Sequence, residues 1–358
     1  MNVVIAGTFW FPFGTASAAR IRNLALGLRE CGAGVHVISL APFPGANGRG
    51  GEYRGITYEC AAPTVAAVDG WRDADRTVPR LRDGLGDRLR WFAGLYGAVP
   101  VAWQRLRRRI RRQGCDLLLA YERSALRATP LVRLCRARGV TSVLDVVEVS
   151  EHLAGSRLSP IYWDSVLGTR ATPRLFDGLT VISAGLESLY RDAGYARTMV
   201  LPALEEWPAA EPPPPTRRRA FHLAYVGALQ PRDAPELLLD AMRALGRTAR
   251  SGPPVVLDVI GHYEGTARGA ELARACAEDP HLRDSVRFLG SLSDRALAER
   301  LAGSDGLVLP RRAARTEELA FPTRLVEYLR YGRPVFVSDV GDVSRYLRDG
   351  EDAALLHP

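Results

Sequence analysis

Short, nearly unbroken apolar runs alternate along this chain with segments whose apolar positions recur at helical spacing. The runs are Asn2-Val-Val-Ile-Ala6, Val35–Leu40, Ile56–Cys60, Asp116–Ala120, Ser142–Val146 and Leu179–Ser183 in the first half. In the second half they are His222–Gly227, Val255–Gly261, Val286–Gly290, Leu307–Pro310 and Val335–Val337. Apolar residues at consecutive rather than alternate positions predict strands buried on both faces of a parallel sheet. Between them, Ile21, Leu24, Leu26 and Leu28 predict a helix running to Gly32. Further helices are expected before Gly139, from Ser159, from Ala184 and from Pro235, the last carrying Leu237, Leu238, Leu239 and Met242. Strands alternating with helices predict an α/β fold. Residues 41–75 lack the rhythm and are expected to be loop-rich around the one strand at Ile56–Cys60.

The rhythm breaks again between Leu201 and Ala220, where Trp207-Pro-Ala-Ala-Glu-Pro-Pro-Pro-Pro215 precedes three arginines. Consecutive prolines favour an extended, semi-rigid connector. Residues 204–220 are therefore read as a linker between one domain at 1–203 and a second at 221–358. A chain of 358 residues suits two domains that each bury a core.

The densest set of signals lies at Phe321–Val335. Pro322 and Thr323 give a helix start, Leu325, Val326 and Leu329 one apolar face, and Gly332 with Pro334 a stop before the strand at Val335. Glu327 falls early in this helix, at the edge of a sheet where α/β folds bind ligands. One carboxylate there can accept hydrogen bonds from two vicinal hydroxyls, as a ribose offers. An ordinary helix–strand unit with a solvated glutamate is the plainer alternative. The run P-T-R-L-V-E-Y-L-R-Y-G-R-P-V resembles the nucleotide-binding signature of GT-B glycosyltransferases, of the large retaining group called family 4. The resemblance implies that Glu327 holds the ribose of a nucleotide-sugar donor.

The likeness extends along the chain. The loop Thr8–Arg20 lacks a GxGxxG fingerprint and ends in Gly14-Thr15 ahead of small residues at a helix N-terminus, where free amides and the helix dipole favour an anion. Phe11-Pro12, Gly14 and Arg20 resemble the family's N-terminal loop. Gly227 and the residues after it resemble the pattern V-G-R-L…K-G, whose arginine and lysine clamp the donor diphosphate. Here those positions hold Ala228 and Asp233, and Arg232 is the nearby replacement. Gly290 ends a strand whose loop meets the base in the family. The common signature has two glutamates with seven residues between them; counting back from Glu327 reaches Leu319, with Glu317 and Glu318 just before it. Glu318 is the candidate to reach the sugar, and Arg324 joins Arg232 and Gly14-Thr15 as a phosphate candidate.

After Ser142–Val146 come Glu148, Ser150, Glu151 and His152, polar groups placed where an α/β active site draws its side chains. They resemble the inter-domain cleft loop of some family members and make Glu148 and His152 catalytic candidates; a capping or turn role for Ser150 or Glu151 stays open. The resemblance implies two Rossmann-like parallel-sheet domains facing each other across a cleft. It further implies sugar transfer from a nucleotide-diphosphate sugar to a hydroxyl acceptor (lipid-linked, polysaccharide or small molecule). Anomeric retention, no obligatory metal and no cofactor beyond the co-substrate complete the expectation. Family members continue with C-terminal helices after the point matching Pro358, so this sequence is read as a fragment or a shortened form. Two other classes remain: a sugar-nucleotide epimerase, which needs acid–base residues that cannot be assigned here, and a catalytically silent glycosyltransferase-like subunit, favoured by Ala228, Asp233 and Leu319.

Charge sharpens the list of partners. All 48 basic residues are arginine, the net charge is +8 and the pI near 9.5. A Schiff-base or P-loop lysine is thereby excluded, and acidic partners are favoured. Arg105, Arg107, Arg108, Arg109, Arg111 and Arg112 crowd one helix beside a Val99, Trp103, Leu106 and Ile110 face, with Trp91, Phe92 and Tyr96 upstream. That helix is read either as packed scaffold with a solvated basic face or as a dock for an anionic membrane surface. No nucleic-acid module accompanies it. Asp73-Ala-Asp75 has no preceding apolar strand and reads as a solvated loop. Cysteines and histidines are scattered without metal spacing, and the five thiols are expected to be buried in a reducing compartment. Met1 leads directly into a strand, and the expected location is cytoplasmic, with peripheral contact at the inner membrane face.

Overall fold

The computed structural model describes every residue except 15, 43–49, 63–67, 74–75, 82–83, 123, 150–159, 208–218, 230–232, 248–251, 262, 264–266 and 358. The chain divides into two units, Met1–Leu204 and Glu205–Pro358. The prolines of the expected linker lie outside the described residues.

In the first unit the apolar runs form a sheet because its strands bury both faces. β1 (Asn2–Gly7) sends Val3 and Ile5 towards α1 (Ala16–Glu30), where Ile21, Leu24 and Ala25 meet them. Val4 and Ala6 of the same strand enter the core of the opposite layer. β2 (Gly34–Ser39) follows, then β3 (Gly50–Tyr53) and β4 (Ile56–Cys60), and a separate ribbon of β5 (Val68–Asp73) and β6 (Arg76–Leu81). The remainder alternates: α2 (Leu85–Arg112), β7 (Leu117–Tyr121), α3 (Ala125–Arg136), β8 (Thr141–Val146), α4 (Pro160–Arg170), β9 (Gly178–Val181), α5 (Ala184–Asp192) and β10 (Thr198–Val200). The strand order is β10-β9-β8-β7-β1-β2-β4-β3, with only β3 antiparallel to its neighbour. The order reverses between β1 and β7, the point at which such sheets open a crevice for ligands.

Three features correct the sequence expectations here. The hairpins β3–β4 and β5–β6 replace the loop expected over 41–75. Their strands carry few apolar residues, so backbone pairing makes them and no apolar run announces them. Arg54 and Gly55 both take the left-handed conformation (φ 48° and 79°) and close Tyr53 onto Ile56, as two-residue hairpin turns require. Asp73 ends β5 instead of standing in a loop. Second, the buried stripe of α2 includes Leu95, Ala98, Ala102 and Leu106, while Val99, Trp103 and Ile110 are only partly covered. Alanines let a 28-residue helix lie close to the sheet, yet each adds so little apolar area that the pattern hides them. Third, Cys31 is exposed; the other four thiols are buried, and burial pushes Cys135 up to about 12.

Arg20 of α1 shows how the unit is tied together. Its Nε and Nη2 donate to both oxygens of Asp145 on β8 at 2.7 and 2.8 Å, and the same guanidinium donates to the carbonyls of Leu201 and Pro202. Removing one partner of so buried a pair costs about 3–5 kcal/mol. The family-like arginine of the N-terminal loop is thus a strut in this chain.

The second unit is a doubly wound sheet: β11 (Phe221–Val226), α6 (Pro235–Arg247), β12 (Val255–Ile260), α7 (Ala267–Glu278), β13 (Val286–Gly290), α8 (Asp294–Ala302), β14 (Gly306–Leu309), α9 (Arg315–Glu318), α10 (Thr323–Leu329), β15 (Val335–Ser338), α11 (Val343–Tyr346) and β16 (Ala354–Leu356). Its order is β13-β12-β11-β14-β15-β16, every pair parallel. Leu238, Leu239 and Met242 of α6 pack on Leu257, Val259 and Val308, while Leu237 is exposed. The reversal falls between β11 and β14. Among the described residues, no helix is long and apolar enough to cross a membrane.

Candidate active site

The loops leaving β11 and β14 meet at the switch point of the second sheet. Leu229 and Ala234, both buried, hold left-handed backbone (φ 53° and 46°) on either side of residues 230–232. Such conformations are unfavourable for side chains beyond glycine by about 1–2 kcal/mol each, and they recur where a loop is shaped for function. Between them the loop delivers Asp233, which is buried. Arg311, two residues past the end of β14, reaches it from the other strand: Nη1 lies 3.0 Å from Asp233 Oδ1 and 3.7 Å from Glu317 Oε2. The Arg311 backbone N–H donates to Ser338 Oγ at 2.9 Å, which anchors the residue to β15.

Beneath this pair lie two tyrosines. Tyr225 of β11 and Tyr328 of α10 are both fully buried, and burial above all holds their hydroxyls far above the usual phenol range. Asp233 raises Tyr225 further. Tyr328 accepts the Val226 N–H at 2.8 Å, which locks α10 onto the end of β11. One turn earlier, Arg324 Nη1 donates to Glu327 Oε2 at 2.6 Å. Arg311 and Arg324 both act electrostatically on Tyr328, so the two guanidiniums share one neighbourhood.

The neighbouring strand ends are made of backbone. The Gly227 N–H donates to the Ile260 carbonyl, and the Gly261 N–H to the Gly290 carbonyl, both at 2.9 Å. A Cβ on Gly261 would stand 2.0 Å from the Gly227 carbonyl oxygen, and one on Gly227 would stand 2.0 Å from the Tyr225 hydroxyl. At Gly261 the obstacle is backbone, so only glycine fits there; at Gly227 a side chain would have to displace Tyr225. The Gly290 N–H is taken by the Tyr263 hydroxyl at 2.7 Å.

The first unit has its own cluster at its switch point. Glu122, directly after β7, is buried and accepts from the Thr8 hydroxyl just past β1, from the Ser124 N–H and from Arg127 Nη2. Arg127 also lies over the Tyr96 ring, whose hydroxyl donates to Asp164. Sequence reading missed this group, although a carboxylate immediately after a buried strand was its signal.

Of the expected site residues, Gly227, Arg324 and Glu327 gather at the end of β11 and on α10, and Gly290 stands two strands away. Glu318 is exposed, whereas Glu317 is buried and faces Arg311. Gly14 packs against Trp10, whose Cβ is 3.0 Å from where a Gly14 Cβ would be, and Glu148 is half-buried after β8. Thr15, His152 and Arg232 lie outside the described residues. The basic helix also changes in detail. Arg105 donates to the Cys60 carbonyl at 2.6 Å and pairs with Glu59, so it leaves the free face. Trp91 packs edge-on against Trp10, and Tyr96 turns to Asp164, so neither is free for a headgroup layer. Trp103, Gln104, Arg107, Arg108, Arg111 and Arg112 line one open surface groove, with Arg107 over the Trp103 ring.

Two doubly wound parallel sheets, each with polar groups at its switch point, define the GT-B class of fold. Residues 220–358, most of the second unit, match the family model described as glycosyl transferases group 1. The D-inositol 3-phosphate glycosyltransferase of Thermomonospora curvata is 30% identical over 144 residues, covering 39% of this chain and 32% of that protein. The protein of the same name from Gordonia bronchialis is 29% identical over 136 residues, covering 37% and 29%. The matches thus span about a third of these relatives' length. Among solved structures, sucrose-phosphate synthase from Thermosynechococcus elongatus is similar over 100% of this chain and 86% of its own (TM-score 0.67, 17% identity). HepE from Anabaena, in complex with UDP-glucose, is similar over 100% and 86% (TM-score 0.59, 16% identity). At such identities the likeness establishes the fold.

Proposed function

We propose that this chain transfers a sugar from a nucleotide-diphosphate sugar to a hydroxyl acceptor, with retention of anomeric configuration and without an obligatory metal. The observation that carries the reading is the α10 signature: Glu327 and Arg324 stand beside the switch point of a sheet within the segment matched to glycosyl transferases group 1. A HepE structure holding UDP-glucose on the same fold supports a nucleotide-sugar donor, and the names of the D-inositol 3-phosphate relatives support a hydroxyl acceptor. Retention and metal independence rest on the family resemblance alone.

On this reading Glu327 accepts hydrogen bonds from the two ribose hydroxyls. Arg324 holds the carboxylate in place until the donor arrives. Gly227 and Gly261 let the donor approach the strand ends closely. The protein's catalytic contribution is to position donor and acceptor and to stabilise the negative charge that gathers on the departing diphosphate. The acceptor side falls to the first unit, whose basic face on α2 is proposed to contact an anionic membrane surface.

The test follows UDP- and GDP-sugars with and without hydroxyl acceptors, separating products chromatographically. Nucleoside diphosphate released in step with a glycosylated product is the expected result. An isomerised, intact sugar nucleotide would assign an epimerase instead, and donors recovered unchanged under every condition would assign a silent subunit.

A further inference from the structure

The family's diphosphate clamp is absent from its usual place: the loop after β11 offers Ala228 where the resemblance expects arginine and Asp233 where it expects lysine. A buried carboxylate at that position opposes a diphosphate unless a cation neutralises it. The neutralising cation comes from another strand. We propose that Arg311 holds the diphosphate of the donor, with Asp233 as its positioning residue. The inference rests on the nucleotide-sugar reading above.

Three observations carry it. Arg311 and Asp233 leave the two strands between which the sheet order reverses, so their ion pair spans the crevice where doubly wound sheets bind ligands. Second, the guanidinium is only partly used. Nη1 serves Asp233 and the more distant Glu317, and among the described residues neither the buried Nε nor Nη2 has a hydrogen-bond partner. An arginine has five donors in a planar fork that matches two phosphate oxygens at once. Third, the side chain is held rather than free. Its backbone N–H is fixed to Ser338, and two acids fix its head, so little side-chain freedom remains to be lost on binding. Arg324, in the same neighbourhood, is already paired with Glu327, which leaves Arg311 as the better-placed cation for the phosphates.

The experiment is calorimetric titration of the full chain with uridine, UDP, guanosine and GDP, repeated for Arg311→Gln, Arg311→Lys and Arg232→Ala. Arg311→Gln is expected to lower nucleoside diphosphate affinity about 10-fold or more while leaving nucleoside affinity unchanged. Arg311→Lys keeps the charge and the Asp233 pair but loses the fork, so an intermediate loss is expected; it carries the test alone if the Gln variant does not fold. Equal losses for nucleoside and diphosphate would make Arg311 structural and overturn the proposal. Unchanged or tighter diphosphate binding would mean that the ion pair closes the crevice, and a selective loss confined to Arg232→Ala would return the clamp to the β11 loop. In each of these outcomes the donor reading stands. If the unsubstituted chain binds none of the four, the donor reading and this proposal fall together.

Discussion

Arg311 Nη1 lies 3.0 Å from Asp233 Oδ1, and the pair joins the loops after β14 and β11 across the reversal point of the second sheet. The same logic recurs in the first unit, where Thr8 and Glu122 join the ends of β1 and β7 across the reversal there. Each sheet thus has a polar contact at the place where its topology leaves a crevice.

Glu327→Gln is expected to weaken nucleotide-sugar binding about 10-fold or more, because hydrogen bonds to a charged acceptor are worth roughly 1.5–3 kcal/mol each. The loss should vanish when the 2′,3′-dideoxy nucleotide is titrated, since that ligand has no hydroxyls to donate. An equal loss for both ligands would place the effect in the Arg324–Glu327 pair rather than at the ribose.

Asp258, in the middle of β12, is fully buried, and its nearest cation is Arg300 Nε at 3.2 Å from Oδ2. Among the described residues, neither carboxylate oxygen receives an aligned hydrogen bond. Arg300→Ala should therefore cost about 3–5 kcal/mol in denaturant unfolding, while the double change Asp258→Leu with Arg300→Met should restore most of it. A double variant no more stable than the single one would refute the ion-pair account.

Gly261→Ala should destabilise the chain by about 2 kcal/mol or more, because the methyl group would collide with the Gly227 carbonyl at a backbone angle of φ 143°. Donor affinity should fall with it, since relief of the clash moves the ends of β11 and β12 apart. A melting temperature unchanged by the substitution would contradict the close approach.

The basic groove on α2 should bind vesicles containing anionic lipid, weaken with added salt, and fail when Arg107, Arg108, Arg111 and Arg112 become Gln. Each basic residue near such a surface contributes about 1 kcal/mol. Arg105→Gln, by contrast, should leave vesicle binding unchanged, because that side chain is held by Cys60 and Glu59. Equal sedimentation with neutral and anionic vesicles would leave α2 as scaffold.

What was legible in the chain follows from the kind of interaction involved. Parallel strands buried on both faces, such as Asn2–Gly7 and Val255–Ile260, write themselves as apolar runs, and α10 with β15 could be placed from Pro322, Gly332 and Pro334. The hairpins at 50–60 and 68–81 were hidden, because backbone pairing and the Arg54–Gly55 turn hold them without an apolar run. The site was legible where one short segment carries it, as with Arg324 and Glu327. It was not legible where distant segments converge: Arg311 meets Asp233, 78 positions earlier in the sequence. Glu317 and Glu318 are adjacent, and only the turn of α9 decides that Glu317 faces inward.

The most direct measurement is equilibrium titration of the unsubstituted full chain with UDP, GDP and ADP. Saturable binding of one nucleoside diphosphate at a single site, weakened about 10-fold or more together with that of the donor sugar nucleotide in Glu327→Gln, is the expected result. Failure of all three to saturate would contradict a nucleotide-sugar site on the second unit.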